Sequence, residues 1–430
     1  MSSRRPVKTT PSRPAASTRS SATASSLSSS AGPITTLTRL GNRPLVELED
    51  ALVRNTRRNR AALLVPCLVS ELERPALLRI CDEIAQAPYL DTVLVSLDRA
   101  DEAGYRGALE YFKRLKRRTV VLWNDGPGVK ALLAKLEKAD LNLGERGKGR
   151  ACWIDFRYLL AQGNVEYIAL HDADVLDYDR AVLARLLYPI ADPILNFDFC
   201  KGYYARFTDR LNGRVSRLFV GPILGALRAL LGANPYIEFL SAFRYPLAGE
   251  FALSADLLRQ IRVPSDWGLE IGTLSEVYRH RSARRICQVD IADRYDHKHQ
   301  ALSPEDPTKG LHRMAADIAK HLLRTLAAAD TVLGDGTLKS LLASYQRRAE
   351  DAASSFYALA KFNGLTFPRH EEEMAIATFA GALKSAVEQF VADPLGAPLI
   401  PNWARVLSAV PEAGDLLLEA VVAEGGILNG

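Results

Sequence analysis

The chain has 430 residues, 48% of them apolar and 24% charged, a composition of ordinary globular proteins with room for one large core and a smaller second unit. Its net charge of +5 comes from the first 31 residues: Arg4, Arg5, Lys8, Arg13 and Arg19 are five of the 55 basic side chains, which leaves 50 basic against 50 acidic. That distribution argues against a nucleic-acid surface on the folded part, and the lack of any 18-residue apolar run argues against a membrane span.

Residues 1–34 are rich in Ser, Thr, Pro and Ala and predict a disordered basic tail, although an Arg- and Ser-rich, acid-poor segment also fits a transit peptide. Five widely spaced cysteines with no C-x-x-C spacing predict buried free thiols in a reducing compartment. An opening helix is expected within 35–60. Ala61–Val65 closed by Pro66, Asp91–Leu97 ending at Asp98, and Thr119–Trp123 are apolar runs of strand length. Helical spacing over 71–86 and 104–117 separates them, and this alternation predicts a doubly wound α/β domain.

Gly144–Arg150 then feeds a helix expected at 151–160. A Gly-Lys-Gly loop at a helix N-terminus suits an anion, through free backbone N–H groups and Lys148. The P-loop spacing is absent, and an exposed basic loop has the same composition. Val165–Asp174 reads as a short apolar strand ending in Asp172 and Asp174. Strand alternation turns both carboxylates one way, where they repel unless a hard cation such as Mg²⁺ or Mn²⁺ joins them. Open α/β sheets bind ligands beyond the carboxyl ends of their strands, which suits this placement; a solvated turn is the alternative.

Phe197–Tyr204 is another strand candidate. In the turn Asn212–Arg217, Gly213, Arg214 and Ser216 offer flexibility, a guanidinium and a hydroxyl to a phosphate or carboxylate; a surface turn capped by Ser216 is the alternative. Leu218–Leu240 reads as a core or amphipathic helix. Glu250 follows a small-residue turn, Asp266–Gly272 precedes a helix, and Ile286–Ile291 is a strand leading to Asp293–Gln300. There His297 and His299 alternate with Lys298, which suits one metal ligand and one substrate contact, or a solvated loop. From about residue 301 the pattern is helical, near 311–328, 338–362, 370–391 and 412–423, and predicts an appendage for packing or oligomerisation.

Seven segments in order resemble the motifs of one family. They are Pro66-Cys67-Leu68-Val69-Ser70-Glu71, Gly147-Lys148-Gly149 with Trp153, Asp172-Ala173-Asp174, Lys201-Gly202-Tyr203-Tyr204, Gly213-Arg214-Val215-Ser216, Pro246-Leu247-Ala248-Gly249-Glu250-Phe251 and Gly268-Leu269-Glu270-Ile271-Gly272. The family is the glucosyl-3-phosphoglycerate synthases, retaining glycosyltransferases of GT-A fold, and the resemblance covers residues 60–302. It implies a GT-A domain (α/β, Rossmann-like, doubly wound mixed sheet) over 35–305, with a nucleotide-sugar half over 60–175 and an acceptor half over 176–302. Residues 306–430 form the helical extension.

The resemblance implies transfer of glucose from a nucleotide sugar, UDP-glucose favoured, to the 2-hydroxyl of 3-phosphoglycerate with retention. Pro66, Leu68, Glu71, Asp98, Lys148 and Asp174 are then nucleotide-sugar contacts. Asp174 and His297 hold Mg²⁺ or Mn²⁺. Gly213, Arg214, Ser216 and His299 take the phosphorylated acceptor, and Glu250 takes the sugar hydroxyls. Asp172, Asp174 and Glu250 are the catalytic candidates. Val69 and Ser70 depart from the family's Asn and Glu, and His299 stands where the family has Asn. The rivals are a glucosylglycerate or mannosylglycerate synthase using glycerate, and a non-catalytic nucleotide-sugar-binding or scaffold protein. A cytoplasmic homodimer without nucleic-acid partners is expected.

Overall fold

The structure, a computed structural model, describes residues 32–41, 43–296 and 300–429. The tail reading for residues 1–31 and the roles given to His297 and His299 lie outside the described residues.

The first half of the chain runs β1 (Thr35–Leu37), α1 (Leu45–Asn55), β2 (Arg60–Leu68), α2 (Pro75–Ile84), β3 (Leu90–Asp98), α3 (Glu102–Phe112), β4 (Thr119–Trp123), α4 (Pro127–Lys138), α5 (Lys148–Ala161), β5 (Val165–Leu170), α6 (Ala181–Ala191) and β6 (Phe199–Tyr204). The second half runs α7 (Gly221–Leu231), α8 (Pro235–Ser241), β7 (Phe251–Ser254), α9 (Ala255–Gln260), α10 (Leu269–His280), β8 (Ile286–Ala292), α11 (Gly310–Ala328), α12 (Asp335–Phe362), α13 (Arg369–Ala392), α14 (Trp403–Ala409), α15 (Ala413–Ala423) and β9 (Ile427–Leu428). Among the described residues these strands make one sheet in the order β1-β8-β6-β7-β5-β2-β3-β4-β9. β2 runs parallel to β3 and β5, while β7 runs antiparallel to both β5 and β6.

Period-two alternation sorts the strand side chains into two apolar layers. Leu64, Leu94, Leu122, Ile168 and Leu170 face the larger layer, under α4, α5 and the helices from α7 onward. Leu63, Val65, Val93, Val95, Val121 and Ala169 face the smaller one, under α1, α2, α3 and α6. No helix among the described residues is long and apolar enough to cross a membrane. All five cysteines are unpaired and buried.

Three local expectations change. Within 35–60, the first residues form β1, whose backbone pairs with Cys287–Val289 of β8, and the helix begins only after Pro44. Leu218–Leu240 is broken into two helices: the first ends at Leu231, where Gly232 takes φ +69°, and the second opens on Pro235, capped by the Asn234 side chain, which accepts from the Tyr236 and Ile237 N–H groups. β5 stops at Leu170, so Asp172 and Asp174 lie in the loop just beyond it.

β5 also ceases to pair with β2 at Leu64↔Leu170, while β2 continues beside β3 to Leu68↔Asp98. Pro66, which has no N–H, therefore sits where β2 has a neighbour on one side only. A crevice opens there, beyond the carboxyl ends of the parallel strands. The start of antiparallel β7 comes to the same edge, and so do the ends of β6 and β8.

At the other end of the chain, β9 pairs with the outer edge of β4. Trp403 of α14 stacks on Trp153 of α5 with ring centroids 4.1 Å apart. The two indoles also anchor backbone: Trp403 Nε1 donates to the Trp153 carbonyl at 2.9 Å, and Trp153 Nε1 to the Pro401 carbonyl at 2.8 Å. Buried indole N–H groups need such partners.

Candidate active site

Lys148 is the first residue of α5, and its Nζ donates to Asp172 Oδ1 at 2.6 Å. Glu270, the second residue of α10, approaches the same ammonium at 3.8 Å. Burial works against the charge on Lys148, but Asp172 and Glu270 outweigh it and raise its pKa. Burial, and then the neighbouring Asp172 carboxylate, push Asp174 up to about 6. Asp172 can lie this close to the start of β7 because residue 249 has no side chain: a Cβ there would sit 2.7 Å from Asp172 Oδ2. His171, adjacent in sequence, turns the other way into the core, where it shares a 3.0 Å hydrogen bond with the Tyr178 hydroxyl. Burial lowers its pKa to about 4.

Three further predicted nucleotide contacts, Pro66, Leu68 and Asp98, sit at the ends of β2 and β3, and Glu71 follows β2. Glu71 is buried in its short turn, 3.4 Å from Arg74 Nε. Asp98 ends β3 and receives Arg146 Nη2 at 2.9 Å; Arg146 also reaches Asp125 at 2.8 Å. Asp98, Asp125, Lys130, Arg146 and Gly147 line a cavity of about 510 Å³.

Glu250 has no solvent exposure. Tyr204 donates to its Oε2 at 2.7 Å and Tyr295 to its Oε1 at 2.9 Å. The two tyrosine rings stack at 4.1 Å, and Tyr245 packs on Tyr204 at 5.1 Å. The Tyr245 hydroxyl accepts from Arg206 Nη1 at 3.1 Å. That hydroxyl would lie 3.3 Å from a Cβ on residue 213, so the Gly213 turn, with φ +74°, is tied back to Glu250 through aromatic contacts. Lys201, beneath the site, is buried with its Nζ lacking a hydrogen-bond partner among the described residues. Burial lowers its pKa to about 8.

Arg214 follows Gly213. Its Nε donates to Glu372 Oε1 at 2.8 Å and its Nη2 to Glu371 Oε2 at 2.5 Å, both on α13. Ser216 lies inside a short helical segment, Val215–Val220, and does not cap it; its Oγ is buried without a partner among the described residues. The structure thus brings Lys148 and Asp172 into direct contact, sets Asp174 within electrostatic reach of both, and joins the Gly213–Ser216 loop to them through Glu250 and its tyrosines. The sequence reading gave no role to Glu270, Lys201, Arg206, Tyr204, Tyr245, Tyr295, Glu371 or Glu372. Glu270, Lys201 and Tyr204 stood inside quoted motifs. Nothing local marks Glu371 and Glu372.

Among curated proteins, the glucosyl-3-phosphoglycerate synthase of Persephonella marina is 44% identical over 390 residues, which span 91% of this chain and 96% of that protein. The chain belongs to the glucosyl-3-phosphoglycerate synthase family. The enzyme of that name from Methanococcoides burtonii is 39% identical over 85% of this chain and 90% of its own length. Among solved structures, glucosyl-3-phosphoglycerate synthase from Mycobacterium tuberculosis, in complex with Mn²⁺, UDP-glucose and phosphoglyceric acid, aligns with a TM-score of 0.50 at 20% identity, over 69% of this chain and 88% of that one. The fold is therefore of the GT-A glycosyltransferase type. No protein-family model matches the chain.

Proposed function

We propose that this chain transfers glucose from UDP-glucose to the 2-hydroxyl of 3-phosphoglycerate with retention of anomeric configuration. The observation that carries this is the convergence of Lys148, Asp172 and Asp174 at one sheet edge with the Arg214 loop, in a chain that matches synthases of that name over nearly their full length. Asp172 and Asp174 fit a hard divalent cation: Asp174 is raised first by burial and then by the nearby Asp172 carboxylate, and a cation beside the two acids would offset both effects. No group of three or more His, Cys, Asp or Glu converges as a metal cage among the described residues. Asp174 would hold Mg²⁺ or Mn²⁺, with His297 as the ligand the family resemblance adds. Such a cation supplies Lewis-acid neutralisation of the diphosphate leaving group.

The chain's own residues do the rest. Lys148 places a fixed positive charge beside that leaving group, with Pro66, Leu68, Glu71 and Asp98 around the nucleoside. Arg214, Gly213 and Ser216 orient the acceptor, with His299 beside them, so that its 2-hydroxyl approaches the anomeric carbon. Glu250 has both oxygens engaged by tyrosines, which supports a positioning role for it and same-face attack in which the departing diphosphate takes the hydroxyl proton. Trapping a glucosyl adduct on Glu250 would overturn that path.

The domain reading stays with this proposal: a GT-A unit over 35–305 and a helical extension over 306–430, whose α13 reaches the acceptor half while α14 and β9 pack on α5 and β4 of the nucleotide-sugar half. So does a cytoplasmic setting, supported by five unpaired buried cysteines. A homodimer would cover apolar surface such as the exposed Phe362 at the end of α12. Light scattering at twice the 47.2 kDa chain mass supports it, and the single chain mass ends it.

The test is a matrix of UDP-, ADP- and GDP-sugars against 3-phosphoglycerate and glycerate, with Mg²⁺ or EDTA, following nucleoside diphosphate release. Metal-dependent release with UDP-glucose and 3-phosphoglycerate is the expected result. A second reading, glycerate as acceptor, is favoured by one observation: Arg214 already faces two carboxylates. Release with glycerate alone would select it.

A further inference from the structure

Glu371 and Glu372 are neighbours on α13, but their surroundings differ sharply. The Glu372 side chain is 2% exposed and binds two guanidiniums, Arg214 Nε at 2.8 Å and Arg217 Nη1 at 2.9 Å. Arg217 is itself held by the backbone of the acceptor loop, donating to the Asn212 carbonyl at 2.9 Å and the Leu211 carbonyl at 3.2 Å. Glu372, Arg217 and the loop therefore form one locked unit, and Arg214 leaves it in a single direction. Glu371 is 51% exposed. Among the described residues only its Oε2 is engaged, by Arg214 Nη2 at 2.5 Å and by the exposed Arg210 Nη1 at 3.4 Å. A carboxylate bound through one oxygen at the surface can rotate away, whereas a buried one held through both oxygens by two half-buried guanidiniums cannot.

We infer that α13 supplies the acceptor site with an internal anion: Glu371 occupies the anion position at Arg214 until the phosphorylated acceptor displaces it, and Glu372 is the positioning residue that aims Arg214. The inference rests on the reading of Arg214 as an acceptor contact. The exchange is chemically matched. A phosphate monoester brings nearly two negative charges and three acceptor oxygens to Arg214 and Arg210, where Glu371 offers one charge and one oxygen. The arginines thus remain neutralised while the site is empty. The acceptor must outcompete a carboxylate, so weak anions are rejected.

Glu371→Gln, Glu372→Gln and Arg214→Ala separate the possibilities, each assayed in the full-length protein with both substrates varied. Glu371→Gln should lower KM for 3-phosphoglycerate about threefold, on the scale of a surface ion pair. KM for UDP-glucose should stay as it was. Glu372→Gln should raise KM for 3-phosphoglycerate about tenfold, again without moving KM for the donor, the signature of a lost charge-assisted hydrogen bond. A merely structural role for Glu372 would instead lower kcat and shift both KM values together, and would overturn its assignment. If Arg214→Ala raises the acceptor KM but Glu371→Gln leaves it unchanged or raises it, the internal anion is wrong and the acceptor reading stands. If Arg214→Ala leaves the acceptor KM unchanged, the acceptor reading itself fails, and this inference with it.

Discussion

On the donor side, the ion pair between Lys148 and Asp172 joins residues 24 positions apart, across one helix and one strand. On the acceptor side, the bonds that set Arg214 and Arg217 reach Glu372, 158 and 155 positions away. The donor side is placed by where strands end. The acceptor side is placed by a helix that contributes nothing to the sheet. It follows that changes in α13 should retune acceptor handling and leave the donor alone, while changes at the strand ends should abolish chemistry outright.

Asp174→Asn tests the stronger half of that contrast. It should cut kcat/KM about a thousandfold in nucleoside diphosphate release, the ~4 kcal/mol of a lost electrostatic stabiliser, with the thermal melt retained. Lys148→Ala comes next, with a loss of about a hundredfold that excess acceptor does not rescue. Arg214→Ala should raise KM for 3-phosphoglycerate by roughly tenfold to fiftyfold, from one or two charge-assisted hydrogen bonds, and leave KM for UDP-glucose where it was. A matching rise in the donor KM would break the division between the sides. The smallest effect is expected where they meet. Tyr295→Phe removes one of two hydroxyls from buried Glu250 and should lower stability by about 1–2 kcal/mol in chemical denaturation, with both KM values moving little.

How much of this was legible in the sequence follows the same line. Thr119–Trp123 was read with its observed bounds, and the Asp172/Asp174 pair and Lys148 were marked, because each signal lies within a few residues. The strand carrying the two acids was drawn too long, since apolar pattern does not show where pairing with β2 stops. β1 and β9 were missed because three- and two-residue edge strands carry too little pattern, and their partners lie far along the chain. Glu372 reads as one more acid in an acidic first turn of a helix. Its burial depends on Arg217, which no local window contains.

The reciprocal indole pair has a consequence in terms of light. Of the four tryptophans, Trp153 and Trp403 are buried face to face, Trp123 stacks on Tyr105 at 4.7 Å, and Trp267 is 39% exposed two residues before Leu269 at the head of α10. Stacked indoles couple their transitions, so the Trp153–Trp403 pair should give a near-ultraviolet circular dichroism couplet that vanishes when α14 leaves α5. Emission from Trp267 should instead follow events beside Glu270. One unlabelled sample thus carries two separate optical channels, one for the seam that closes the chain on itself and one for the mouth of the site.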